Sequence, residues 1–97
     1  MDNIKEISKA INNLKSDSKV YNFLLEILTE SEVETLSKRW RIVNMLMQGK
    51  SQREISKELK VSLCKVTRGA KILKNKNSVT KKILKEIKYG KNYKIQH

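Results

Sequence analysis

The sequence predicts an all-α chain, and three observations carry that reading. There is no proline and there are only 3 glycines, so helix breakers are scarce. The apolar residues are mostly Ile, Leu and Val, recurring at three- and four-residue intervals, which is the period of one helix face. Ser, Thr or Asp stands just ahead of such runs, where a side-chain oxygen can cap the first turn. The 97 residues are expected to make one helical domain, 1–97. Within it, 1–48 reads as dimerisation helices, 51–75 as a helix-turn-helix and 77–89 as a C-terminal helix.

Ile4, Ile7, Ile11 and Leu14 put an apolar stripe on a first helix. A second subunit or the rest of the chain could cover that stripe, and the sequence leaves both open. Lys15 to Ser18 interrupts the pattern, and Asp17 or Ser18 can cap a second helix bearing Val20, Tyr21, Leu24, Leu25 and Leu28. Thr29-Glu30-Ser31-Glu32 reads as a capping box, with hydroxyl and carboxylate each taking the other residue's amide. A long helix follows, with Val33, Leu36, Trp40, Val43 and Met47 on one face and Leu46 beside them. Gly49 should stop it in the left-handed conformation. Ser51-Gln52-Arg53-Glu54 is a second capping box, opening a short helix that turns Ile55 and Leu59 inward. Lys60-Val61-Ser62 makes a tight turn, and Ser62 caps a helix running to about Asn75. Asn77 or Ser78 begins a last helix with Val79, Ile83, Leu84 and Ile87 apolar, and the polar end from Gly90 reads as frayed.

The net charge of +12 is unevenly placed. Residues 1–50 hold 8 Lys and Arg against 7 Asp and Glu; residues 51–97 hold 14 against 3. The second half thus carries +11, which suits a polyanion such as nucleic acid, because neutralised phosphates release counterions. A solvated basic surface is the other reading for the lysines of residues 74–94 taken alone. One cysteine, Cys64, excludes an internal disulfide framework, and His97 at the chain end reads as a solvated terminus. No nucleophile–base pair, metal cluster or phosphate loop stands out, so neither enzyme activity nor a metal is expected. The N-terminus does not read as a signal peptide and no apolar run is long enough for a bilayer, so a cytoplasmic protein without a membrane partner is expected.

Residues 51–74 carry the sharpest signal. A short helix, a three- or four-residue turn and a second helix with a free outer face are what a helix-turn-helix needs to enter a major groove. In the second helix Leu63, Val66, Ala70 and Leu73 fall within an arc of about 80° and form the inward face. Cys64, Lys65, Arg68, Lys71 and Ile72 project outward, with Thr67 at the margin. Leu63, Cys64, Lys65 and Thr67 are the candidate base contacts, the first two suiting thymine methyls. Gln52 and Arg53 open the first helix where phosphates are expected. Lys60 occupies the turn position where glycine is usual, at a cost of roughly 1 kcal/mol for a positive φ. Ile72 faces away from the core, and Gly69 sits mid-helix, where it costs about 1 kcal/mol relative to Ala. A small planar ligand or another helix against Gly69 would account for both. Arg39 and Arg68 could clamp a carboxylate and stack on a ring, or simply meet phosphate or solvent.

From about Phe23 to Lys74 the chain resembles the tryptophan repressor family, regulators of tryptophan biosynthesis operons. The resemblance rests on Leu28-Thr29, Arg39-Trp40-Arg41-Ile42-Val43, Gly49, Ser51-Gln52-Arg53-Glu54, and above all Val66-Thr67-Arg68-Gly69 followed by Leu73-Lys74. It covers over half the chain, in order apart from one residue missing near Lys50. It implies a six-helix, intertwined homodimer that binds a palindromic double-stranded DNA operator and takes L-tryptophan as corepressor. Carried over by position, Arg39 and Arg68 would sandwich the indole, Leu28 and Thr29 would receive the amino group, and Gly69 would admit the ring. Operator contacts would fall to Gln52, Arg53, Leu63, Cys64, Lys65 and Thr67. Ile72 departs from the family, which usually has a serine there to hold the ligand's amino group; Ala70 and Lys71 depart as well. The rivals to a tryptophan-responsive repressor are a same-fold regulator indifferent to tryptophan and a basic RNA- or ribosome-associated protein.

Overall fold

A computed structural model describes residues 2–89. The helices are α1 (Asn3–Leu14), α2 (Asp17–Ile27), α3 (Glu30–Met47), α4 (Gln52–Leu59), α5 (Leu63–Lys74) and α6 (Val79–Tyr89), and among the described residues there is no strand. The all-α, six-helix reading of the sequence therefore holds. Gly90 and His97, expected to be a frayed end and a solvated terminus, lie outside the described residues. Among the described residues no helix is long and apolar enough to cross a membrane. The chain divides into two compact units, Met1–Thr35 and Leu36–His97, with α3 running across the division.

In the first unit α1 packs on α2. Asp2 caps α1 by accepting the Lys5 amide at 3.1 Å, and Lys15 ends it with φ 50°. Ser16, not Asp17 or Ser18, caps α2. Its extended backbone (φ −152°) lets the hydroxyl accept from the Lys19 amide at 3.4 Å. Asp17 is already helical, and its charge there complements the positive end of the helix dipole. Ile7, Ile11 and Leu14 of the first stripe are half-buried, whereas Ile4 and Tyr21 are open, and neither helix buries a side chain fully.

The capping box at Thr29 forms as expected. The Thr29 amide donates to Glu32 Oε1 at 2.9 Å, and the Glu32 amide donates to Thr29 Oγ1 at 3.1 Å. Thr29, through its backbone amide first and its hydroxyl second, holds the Glu32 carboxyl below the ordinary glutamate pKa. A depressed carboxylate pKa contributes stability above the unfolded value and loses it as pH falls through the folded one. The melting temperature of Glu32→Gln should thus fall less than that of the wild type between about pH 7 and about pH 3. Equal falls would remove this carboxylate from the acid response.

In the second unit, α3 ends in a two-bond motif around Gly49, whose φ is 91°. The Gly49 amide donates to the Leu46 carbonyl at 3.0 Å and the Lys50 amide to the Met45 carbonyl at 3.1 Å. Ser51 then caps α4, accepting the Glu54 amide at 3.2 Å, while its hydroxyl donates to Glu54 Oε1 at 3.2 Å, so the carboxylate of the expected capping box meets the hydroxyl and not the amide. Ile42, Met45, Ile55 and Val66 form the core, with Leu46, Leu59 and Val61 packed against it. Each such side chain contributes roughly 1.5–3 kcal/mol on burial. The face expected on α3 is only partly the buried one. Val43 is buried, but Leu36 and Trp40 are 48% and 41% exposed, and Ile42 and Met45 take their place inside. The helix carries two apolar faces, and the one turned to this core is the Ile42–Met45–Leu46 row. Ser78, of the two residues considered, caps α6 by accepting the Lys81 amide at 3.1 Å. Leu84 is buried and Ile83 and Ile87 are half-buried, while Val79 stays exposed.

Candidate nucleic-acid interface and ligand site

The turn between α4 and α5 is built by three residues. Lys60 adopts φ 55°, ψ 47°, the left-handed conformation expected of a position that favours glycine. The Val61 amide donates to the Ser56 carbonyl at 3.1 Å, and the Ser56 hydroxyl donates back to the Val61 carbonyl at 2.6 Å. Ser56 is thereby the tie that closes the turn. Ser62 caps α5 through the Lys65 amide at 3.3 Å. Val61 is half-buried against the core, and Val66 is fully buried, so packing fixes the angle at which α5 leaves α4.

That packing leaves the outer side of α5 open. Cys64, Lys65, Thr67, Arg68, Lys71 and Ile72 are all exposed, as the helical spacing predicts. Leu63, assigned both to the inward arc and to base contact, is 46% exposed: it is the first residue of α5 and lies beyond the reach of the core. Gln52 and Arg53 are the first two residues of α4, the former half-buried and the latter exposed. One bond, invisible to local pattern, joins the two sets. The Thr67 hydroxyl lies 2.9 Å from Gln52 Oε1 and 3.0 Å from the Leu63 carbonyl. Gln52 is thereby tied to α5 through its oxygen, which leaves its NH2 group as the donor.

Gly69 is buried at the crossing of α3 and α5. A Cβ there would stand 2.8 Å from Ile42 Cγ2 and 3.4 Å from Leu46 Cδ1. Of the two explanations the sequence left open for Gly69, the structure supplies the helix: the cleared space is filled by α3. Arg39 lies one turn before Ile42 on α3, Arg68 adjoins Gly69, and Ile72 follows three residues later; all three side chains are exposed beside this crossing. Ile72, 41% exposed, offers no polar atom to a ligand. Leu28 and Thr29 belong to the first unit, where Leu28 ends α2 and Thr29 is engaged with Glu32.

A short capped helix, a left-handed turn and a second helix with an open outer face make the second unit a helix-turn-helix in an all-helical chain. The Trp repressor protein family matches residues 2–88, and the chain belongs to that family. A Trp operon repressor homolog of Xylella fastidiosa is 45% identical over 64 residues, covering 65% of this chain and 68% of the relative. Another from Vibrio parahaemolyticus is 42% identical over 71 residues (71% and 69%), and one from Chlamydia caviae is 34% identical over 80 residues (79% and 79%). No solved structure gives a significant match.

Proposed function

We propose that this chain is a sequence-specific transcriptional repressor that binds a DNA operator through α5 and responds to L-tryptophan, acting without catalysis. The observation that carries the DNA reading is the open outer face of α5, where Cys64, Lys65, Thr67 and Arg68 stand exposed on a helix anchored from behind by Val66. Leu63, Cys64, Lys65 and Thr67 take the base edges, and Gln52 and Arg53 take phosphates from the start of α4. The large apolar residues left open on the helices before α4, among them Leu25, Leu36 and Trp40, support an intertwined homodimer as the working form in the cytoplasm.

Tryptophan is the corepressor in this proposal, with Arg39 and Arg68 on the indole, Arg68 on the carboxylate, and Leu28 and Thr29 toward the amino group. Gly69 serves it by setting the α3–α5 distance, and Ile72 lines the site without a hydrogen bond. One lost bond to a charged group is worth roughly 1.5–3 kcal/mol, so the amino group is the weakly held part of the ligand. The exposed apolar Ile72 is also the observation that favours the second reading, a repressor of the same fold indifferent to tryptophan. Calorimetric titration of L-tryptophan into the purified protein, with indole-3-propionate as competitor, separates the two. The corepressor reading expects saturable binding at one site per chain and a preference for the propionate. Absence of heat for both ligands, with folded protein and intact operator binding, leaves the second reading. Binding to RNA with no sequence preference on duplex DNA would overturn both.

A further inference from the structure

We propose that the lysine face of the C-terminal half of α5 and of α6 is a second contact surface for duplex DNA, holding backbone phosphates that flank the segment read by α5. The proposal rests on the DNA-binding function argued above and extends it beyond the helix-turn-helix. Lys71, Lys74, Lys76, Lys82 and Lys85 are exposed and Lys81 is half-buried. The second half of the sequence holds only three acids, and two are engaged elsewhere: Glu54 at the α4 cap, and Glu58 in an ion pair with Lys50 at 2.9 Å. Glu86 alone is left near the six lysines, and among the described residues none of the six forms an ion pair.

Helix stability accounts for part of this charge and not for the rest. Lys71 and Lys74 lie in the last turn of α5, where cations complement the helix dipole. Lys81 and Lys82 lie in the opposite position, within the first turn or so of α6, where a cation opposes the dipole. Helices α1 to α4 each carry an acid in the first turn, whereas α5 and α6 carry none. Like charges gathered this way also repel one another, which the folded chain alone does not offset. An external polyanion offsets both terms. Duplex DNA fits best because the charge begins on the side of α5 proposed to read it: Lys71 follows Cys64 by seven residues on that side, and α6, with its lysines, packs on α5.

The test uses the full chain and a duplex selected by the wild-type protein from a random pool, embedded in about 20 and about 40 base pairs. The variant combines Lys71→Gln, Lys74→Gln, Lys82→Gln and Lys85→Gln, with helicity checked by circular dichroism. The wild type should bind the longer duplex about tenfold more tightly, with a steeper dependence of log K on log salt. The variant should lose that length dependence, and its salt slope should fall by about 0.9 per phosphate contact removed, with preference for the selected sequence over a scrambled one unchanged. A folded variant that keeps the wild-type length dependence and slope overturns the surface and leaves the repressor reading standing. If the wild type selects no sequence but the slope still falls in the variant, sequence recognition fails and the surface stands. If the wild type binds no duplex, both fall.

Discussion

Gly69→Ala lowers the stability of the protein even though alanine is the better helix former. In open helix the change should stabilise by about 1 kcal/mol. Here the new methyl meets Ile42 Cγ2 at 2.8 Å, with Leu46 Cδ1 at 3.4 Å and Val43 Cγ1 at 3.6 Å. Ile42 is β-branched, helical and 2% exposed, so its methyl is held in one rotamer and has nowhere to turn. Overpacking of this kind costs about 1–3 kcal/mol, and the net effect should be a loss of about 1 kcal/mol for alanine and about 3 for Gly69→Val. The urea midpoint measures it, and a second background identifies the cause. With Ile42→Ala, which removes the obstructing methyl, the added Gly69→Ala should reverse sign and stabilise. If Gly69→Ala raises the midpoint in the wild-type background, the helices are not in this contact.

The second large effect concerns binding. Replacing Leu63 and Cys64 together by Asp should abolish specific DNA binding, by roughly a thousandfold or more, because two carboxylates then face phosphates and base acceptors where like charge costs several kcal/mol. The fold should be untouched: both side chains are exposed, and acids in the first turn of α5 complement its dipole. Fluorescence anisotropy with the selected duplex reads the loss, and the melting temperature reads the fold. Specific binding that persists in the double variant would mean that another face reads the DNA.

These two sites differ in how far the sequence discloses them. The outward side of α5 follows from helical spacing alone, because Val66 and Gly69 are buried while Cys64, Arg68 and Lys71 are open. The left-handed Lys60 and Gly49 were equally legible, since each stands at the junction of two periodic runs. Caps chosen between neighbours were not. Ser16 rather than Asp17 or Ser18 caps α2 because the backbone of that residue is extended, and neighbouring polar side chains give no sign of which one bends. On α3 the spacing supports two apolar rows, and only the packing of α4 and α5 against Ile42 and Met45 decides which is inside. Gly69 declared that something lay close but not what, because ligand and helix make the same demand on a missing Cβ. The bond between Gln52 and Thr67, fifteen residues apart, has no local signal.

That bond has a consequence for how firmly the two helices are joined at the proposed interface. Thr67 carries a single hydroxyl proton, and two acceptors compete for it: Gln52 Oε1 on the neighbouring helix and the Leu63 carbonyl one turn back. A linear bond to one is a weak bond to the other, and an exposed hydroxyl turns between them on a picosecond-to-nanosecond scale. The hydroxyl proton is therefore divided between two acceptors with no change of side-chain rotamer, and Gln52 is held by less than a full bond. Its amide can reorient to meet an incoming oxygen without first breaking into the structure behind it.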